Sequence, residues 1–392
     1  MTEMHSRTRI AGIEAAGERP DTYLLVEQPG AFLGKHSERL QVSVKGQTLE
    51  ERPLLGLEHV MILGSGISLS ADAIRGCAER GIQISFVSAT GTPFAKLIAP
   101  ELTGTVQTRR QQLLAFTDGR GVHLAKAFAM GKLRNQASLL KYMAKYRQEL
   151  NADLYEEVRE AAFQLEELCR RIDLLTPAHG DVNRHVLISE AGPPVSYDAN
   201  GQLVAFSESA MGGLRQEVMM LEARGARYYW DAARRLVSLP SEVGWSSRET
   251  RGASDLVNQC LNYGYGILYA QVERAVLLAG LDAYAGFLHE DRPGKPSLVL
   301  DLVEEFRAYV VDRTVFAMFN QRVALQQDAT GRLDQPTRAA LARRINERLE
   351  TPAPHLDGRR LRLRSIIQSQ SRRLGSFLRG EIPAYMPWAG RW

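Results

Sequence analysis

IQISFVSATGTPFAKLIAPELTGTVQTRRQQLLAF, residues 82–116, holds the change of pattern on which the fold turns. Its first part, Ile82–Ser88, largely alternates apolar with polar residues, the period-two signature of a half-buried strand. A turn over Ala89–Thr92 follows. From about Val106 the alternation stops. Arg109–Phe116 then opens a series of segments carrying Leu, Ala, Met, Glu and Arg at helical spacing.

Upstream, Thr22–Glu27, Arg39–Gly46, Thr48–Leu54 and Leu57–Leu63 read as short strands. One helix interrupts them, with Ser70 as its N-cap and Gly81 as its stop. Downstream, helical spacing covers Val122–Glu149, Leu154–Leu175, Leu214–Leu236, Asp255–Ala279, Leu298–Asn320 and Pro336–Glu350. The stretch His179–Ser209 is rich in Gly, Pro, Ser and Asn and reads as a loop or short hairpin inserted between helices. The expected fold is α+β. A small β-rich, β-sandwich-like domain spans 1–105, and a large all-α catalytic domain spans 106–392.

Composition bounds the function classes. The 392 residues are 44% apolar and 24% charged, an ordinary share for a soluble protein with room for two cores. A net charge of +4 is mildly basic and by itself describes a solvated surface as well as a nucleic-acid binder. Cys77, Cys169 and Cys260 are scattered, with no CxxC pair, so neither a zinc finger nor a disulfide framework is encoded. A reducing compartment fits, and the N-terminus MTEMHSRTRI lacks the apolar core of a signal peptide. No run of about 18 apolar residues suggests a membrane span. A cytoplasmic protein is expected. Gly64-Ser65-Gly66 resembles a dinucleotide-binding turn, but Leu69 stands where the third glycine belongs. Gly294-Lys295 is followed by Pro296, so no P-loop is present.

Four polar features of the helical half sit where apolar residues are expected. Glu222 borders the inward face marked by Leu214, Val218, Leu221, Gly225, Tyr229 and Leu236. A partly buried carboxylate needs a partner or a cation. Taken alone, an ion pair to Arg215 or Arg227 is the ordinary reading. Asn258, Asn262, Tyr265 and Tyr269 form one polar stripe on an otherwise apolar helix. Gly264 and Gly266 each weaken that helix by about 1 kcal/mol relative to Ala, which makes sense if a backbone or ligand comes close. His289 ends Gly-Phe-Leu-His before a loop; a lone histidine is more often structural. Asp301 and Glu304, three apart, share one helical face and repel unless a cation lies between them. Glu305 beside them is expected to face water. Each feature alone has an ordinary structural explanation. Together they supply an imidazole and two or three carboxylates, a mixed set that suits Mn²⁺ or Mg²⁺ rather than structural zinc.

At this point the chain resembles a known family, the universal CRISPR-associated integrase, catalytic subunit of the spacer-acquisition complex. The residues that carry the resemblance run in the family's order. They are Glu222 to Trp230 (Glu-x-x-x-Ala-Arg-x-Tyr-Trp in outline), Asp255 to Tyr265, Gly286-Phe287-Leu288-His289, and Ser297 to Glu304. Gly131-Lys132-x-x-Asn135-Gln136 also matches. The resemblance implies a metal between Glu222, His289 and Glu304, with Asp301 supporting them and Tyr269 near the active site. It implies a homodimer, a small ferredoxin-like partner, and insertion of short duplex DNA at CRISPR repeats by attack of a 3′-hydroxyl on a phosphodiester. Ala223, Gly225 and Ser254 depart from the usual pattern without removing a ligand.

Positive residues recur around these positions: Arg109, Arg110, Lys126, Lys132, Arg134, Arg227, Arg248, Arg251 and Arg307. Phosphate contacts need this residue type. Of these, Lys132, Arg227, Arg248, Arg251 and Arg307 are the candidate DNA contacts. Two other functions use the same features. A stand-alone nuclease for branched or single-stranded DNA would share the chemistry, and a non-catalytic helical DNA-binding scaffold would need no metal.

Overall fold

A computed structural model describes residues 22–99, 106–176, 208–250 and 252–390. The 179–209 insertion therefore falls almost wholly outside the described residues, as do Arg251 and the expected boundary at residue 105.

The first part is built on two four-stranded sheets. One has the order β1 (Tyr23–Val26), β5 (His59–Leu63), β7 (Gln83–Val87), β8 (Pro93–Leu97); its first three strands are parallel and β8 is antiparallel. The other has the order β4 (Gln47–Pro53), β3 (Arg39–Val44), β2 (Ala31–His36), β6 (Ser68–Leu69). Leu24, Val26, Leu33, Leu40, Val42, Val60 and Ile62 meet in one core. Helix α1 (Ala71–Ala78) begins where expected: the Ser70 hydroxyl accepts from the Ala73 N–H at 3.1 Å. Gly81 closes the turn after it at φ 66°. The strand β2 was not visible in the sequence, because Gly34 and Lys35 interrupt its apolar alternation.

The helical part comprises α2 (Val106–Leu114), α3 (Gly119–Ala144), α4 (Ala152–Leu174), α5 (Glu208–Leu236), α6 (Leu256–Leu278), α7 (Ser297–Val303), α8 (Arg313–Asn320), α9 (Gln335–Glu350) and α10 (Leu363–Leu378). A two-stranded hairpin, β9 (Pro352–Pro354) with β10 (Arg360–Arg362), precedes α10 and was not expected. Most residues of α3 are buried, and it packs against both α4 and α5. Asn135 is fully buried there, and Lys132 is partly buried beside it.

The stretch 298–320 departs from the single expected helix. Helix α7 ends at Val303, residues 304–306 turn with i→i−3 hydrogen bonds, and Ala308–Asp312 is π-helical before α8 resumes. Apolar spacing continues through the break, so the sequence gives no local sign of it. Such π segments are frequent at functional sites.

The glycines of α6 have the role that their cost suggested. A Cβ on Gly266 would overlap the Gly91 carbonyl oxygen in the β7–β8 turn, and one on Gly264 would lie 2.7 Å from Val311 Cγ1. Beside this close approach the sheet and α6 share a buried polar cluster. His59 Nε2 lies 2.8 Å from Ser85 Oγ and its Nδ1 2.8 Å from Gln271 Nε2. Burial, reinforced by Arg274 and Arg364, holds His59 neutral by driving its pKa well down.

Candidate metal centre

The site is assembled from three helices and one loop. Glu222 comes from α5, Lys132 from α3, Glu304 from the end of α7, and His289 from the loop between α6 and α7. The Lys132 ammonium contacts Glu222 Oε1 and lies 3.0 Å from Glu304 Oε2. Arg307 meets the other oxygen, Oε1 of Glu304, at 2.9 Å. Burial alone would raise the Glu304 pKa, but Arg307, Lys132 and His289 together hold it below the usual carboxylate range. Lys132 is likewise held above its ordinary value. Its burial opposes the charge, and the two glutamates outweigh that burial.

Asp301 faces the other way. Its Oδ2 accepts from the backbone N–H of Phe287 at 2.6 Å and Leu288 at 3.0 Å. Its Oδ1 accepts from the His289 N–H at 2.9 Å and from His289 Nδ1 at 2.8 Å. The glycine of Gly-Phe-Leu-His is needed for this wrap, since a Cβ on Gly286 would lie 2.9 Å from Asp301 Oδ2. A carboxylate on Nδ1 fixes the imidazole ring and leaves Nε2 as the ligand nitrogen, an arrangement typical of metal-binding histidines. Asp301 and Glu304, three residues apart, therefore take different partners. Asp301 is satisfied by the loop, and Glu304 by Lys132 and Arg307.

Several expectations need correcting on position. Glu222 pairs with neither Arg215 nor Arg227. Arg215 donates to the Phe287 and Phe116 carbonyls, and Arg227 is exposed. Lys132, a candidate DNA contact, lies inside the site between Glu222 and Glu304. Lys126 is buried, and its ammonium donates to the Asp173 and Leu175 carbonyls at the end of α4. Arg248 engages the polar stripe of α6, donating to Asn258 at 3.0 Å and Asn262 at 2.6 Å. Tyr269 stacks on Tyr265 with centroids 6.4 Å apart, and Arg307 lies over the Tyr265 ring at 4.1 Å. Glu305 is fully buried rather than water-facing. Sequence reasoning also passed over Asp312, a carboxylate inside the apolar run Ala-Tyr-Val-Val-Asp. It accepts from Tyr229 at 2.7 Å and from Tyr265, both buried.

Among the described residues, no three His, Cys, Asp or Glu side chains are arranged to hold a metal ion. The chemistry of the donors nevertheless fits one. Two carboxylates, from α5 and from the end of α7, converge on a single cationic atom. The adjacent imidazole is oriented by Asp301. A divalent cation would fit this donor set with Lys132 displaced from between the glutamates.

The family model described as CRISPR associated protein Cas1 matches residues 24–347. The chain belongs to the Cas1 family. The CRISPR-associated endonuclease Cas1 1 of Archaeoglobus fulgidus is 32% identical over 369 residues, covering 91% of this chain and 96% of the relative. The Cas1 fold recurs in solved structures. A casposase bound to integration product has a TM-score of 0.69 at 21% identity, covering 93% of this chain and 92% of that one. A Cas6-RT-Cas1–Cas2 complex has a TM-score of 0.66 at 16% identity, covering 97% of this chain and 37% of that one. The region matched to Cas1 contains Lys132, Glu222, His289, Asp301 and Glu304, and ends before α10.

Proposed function

We propose that Glu222, His289 and Glu304 hold a divalent cation, Mg²⁺ or Mn²⁺, at which this enzyme cuts and rejoins DNA. Membership of the Cas1 family makes the chain a nuclease and integrase of spacer acquisition. The observation that carries the ligand assignment is the convergence of Glu222 and Glu304 on one cationic position beside an imidazole oriented by Asp301. A cation held there would supply Lewis-acid polarisation of a phosphodiester and charge for its leaving oxygen. Asp301 keeps the His289 Nδ1 proton in place. Arg307 neutralises part of the Glu304 charge and, with Lys132, offers positive charge to a phosphate. Tyr269 stands beside this group through its stack on Tyr265.

The nucleophile is the 3′-hydroxyl of a short incoming duplex, and the target is a phosphodiester of a CRISPR repeat. Water at the same position gives hydrolysis, in keeping with relatives named endonucleases. Arg227, Arg248 and Arg251 are candidate DNA contacts. The chain works as a homodimer, with the β-rich part as the dimerising domain, and with a small ferredoxin-like partner. Likeness to a chain of a Cas6-RT-Cas1–Cas2 complex supports the small partner. No helix among the described residues is long and apolar enough to cross a membrane.

The test combines the protein, its small partner, short duplexes with free 3′ ends and a repeat-bearing plasmid, with Mn²⁺ or EDTA. Metal-dependent joined products that vanish in His289→Ala and Glu304→Ala support integration and the ligands together. Cleavage without joining would favour the stand-alone nuclease.

A further inference from the structure

Glu304 lies where the helical ladder fails. The N–H groups of Glu304, Glu305 and Phe306 bond to carbonyls three residues back, and the π segment begins two residues later. A turn of this kind does not fix its own geometry as a continuous α-helix does. The missing restraint comes from the far end of the chain. After α10 the backbone returns across α3 and the turn, so that Tyr385 and Trp388 are fully buried.

Glu305 is the point of attachment. Its Oε1 accepts from the Tyr385 hydroxyl; its Oε2 accepts from the Trp388 backbone N–H at 2.8 Å and from Gln370 Nε2 at 3.0 Å. Asn135 ties the same parts from α3. Its Nδ2 donates to the Glu305 carbonyl at 2.8 Å and the Trp388 carbonyl at 2.9 Å, and its Oδ1 accepts from the Gly390 N–H at 2.7 Å. The Trp388 ring stacks on Phe306 with centroids 5.5 Å apart and an interplanar angle of 15°. Gly131, next to Lys132, leaves room for this, since a Cβ there would lie 2.9 Å from Pro387 and 3.0 Å from Glu305 Cγ. Apolar packing alone would cover α3. A buried carboxyl group on which three donors converge instead selects one position for the turn.

We propose that residues 381–390 form a positioning strap for the active site. Through Glu305 and Asn135 the strap sets the turn that aims Glu304 at Glu222. Glu305, Tyr385 and Asn135 are positioning residues. The inference rests on the metal reading above, and the strap lies beyond the region matched to the Cas1 family model.

The experiment uses the full chain and reads Mn²⁺ affinity by titration without DNA, alongside strand-transfer turnover and KM for DNA ends. Glu305→Gln leaves donors facing an amide. Tyr385→Phe removes one hydroxyl and keeps the ring, so it guards against a Glu305 variant that fails to fold. Leu341→Ala, in the core of α9, supplies a loss of stability without a link to the strap. All are compared below their melting temperatures. Loss of a supporting hydrogen bond to a metal site commonly costs 10–100-fold, so about 10-fold weaker Mn²⁺ binding and lower turnover are expected for Glu305→Gln. Tyr385→Phe moves the same way by less, KM stays near wild type, and Leu341→Ala changes neither quantity. Wild-type Mn²⁺ affinity and turnover in folded Glu305→Gln or Tyr385→Phe would overturn the strap. Glu304→Ala separates the two readings: unchanged Mn²⁺ affinity there sinks the metal assignment, and turnover in Tyr385→Phe then decides the strap alone.

Discussion

Nζ of Lys132 lies 3.0 Å from Oε2 of Glu304 and also meets Oε1 of Glu222, so one ammonium from α3 bridges carboxylates from two other elements. The bridge makes Lys132 a competitor for the cation position as well as a source of positive charge. Lys132→Met removes the ammonium and keeps most of the side-chain volume. Breaking a buried pair costs about 3–5 kcal/mol, and the loss here lies at or below the low end because Arg307 still meets Glu304. In EDTA the melting temperature of Lys132→Met falls, and Mn²⁺ restores most of it. Differential scanning fluorimetry with both additives checks this. An equal drop in EDTA and Mn²⁺ would mean that the ammonium and a divalent ion do not share a position.

Asp301→Asn attacks His289 without touching a proposed ligand. The carboxylate takes three backbone N–H groups and the imidazole Nδ1. An amide offers one acceptor oxygen and turns donors toward donors. Each buried group left unsatisfied costs about 1–3 kcal/mol, so the loop from 286 to 289 loosens and thermal stability drops. Strand transfer falls about 10–100-fold, as for lost supporting partners of metal ligands. Rates near wild type in a folded variant would show that the loop orients His289 without Asp301.

How far the sequence foretold this site depends on the range of each interaction. Ser70 as N-cap depends on neighbours a few residues away and was legible, whereas the Asp255 cap and the hold of Asp301 on Gly-Phe-Leu-His, though almost as local, were not read from the sequence. Glu222, His289 and Glu304 were readable as residue types in order, and the structure brings Glu222 and Glu304 onto one ammonium. Nothing local shows that α3 is largely buried, so the contacts of Lys132 with Glu222 and Glu304 were not foreseen. Glu305 was read as water-facing because Tyr385 and Trp388, which bury it, lie some 80 residues downstream. The break after Val303 was illegible because apolar residues continue through the π turn. The three-residue spacing of Asp301 and Glu304 placed both carboxylates at the site but did not show that they take different partners.

Gly264 and Gly266 permit a graded test of the joint between sheet and helix. A Cβ on Gly266 would strike the Gly91 backbone, which cannot rotate away, whereas one on Gly264 meets the tips of Val311 and Ile345 at 2.7 and 2.9 Å. Overpacking costs typically 1–3 kcal/mol, and Gly266→Ala is expected at or above the top of that range. Gly264→Ala loses less, because side chains shift and the helix gains about 1 kcal/mol from alanine. Urea unfolding of the two variants gives the order. Equal midpoints would show that the β7–β8 turn moves freely on α6.

His123 gives the strap a pH signature. The ring sits on α3 with Nε2 2.7 Å from the Tyr385 carbonyl, and its buried Nδ1 has no hydrogen-bond partner. Burial is the main cause that lowers its pKa from 6.5 to about 4. The Tyr385 carbonyl opposes that shift, and the Lys126 charge adds to it. A base whose folded pKa is depressed binds fewer protons folded than unfolded, so its contribution is complete above pH 6.5 and is lost as pH falls toward 4. The loss integrates to roughly 3 kcal/mol over that window. His59, also held neutral by burial, adds to the same acid sensitivity. His123→Leu is less stable at pH 7, since the Tyr385 carbonyl loses its donor, but its stability declines less steeply between pH 6.5 and 4. Urea midpoints taken across that range for both proteins decide the point. Parallel declines would assign the acid sensitivity to His59 and other groups and remove His123 from the account.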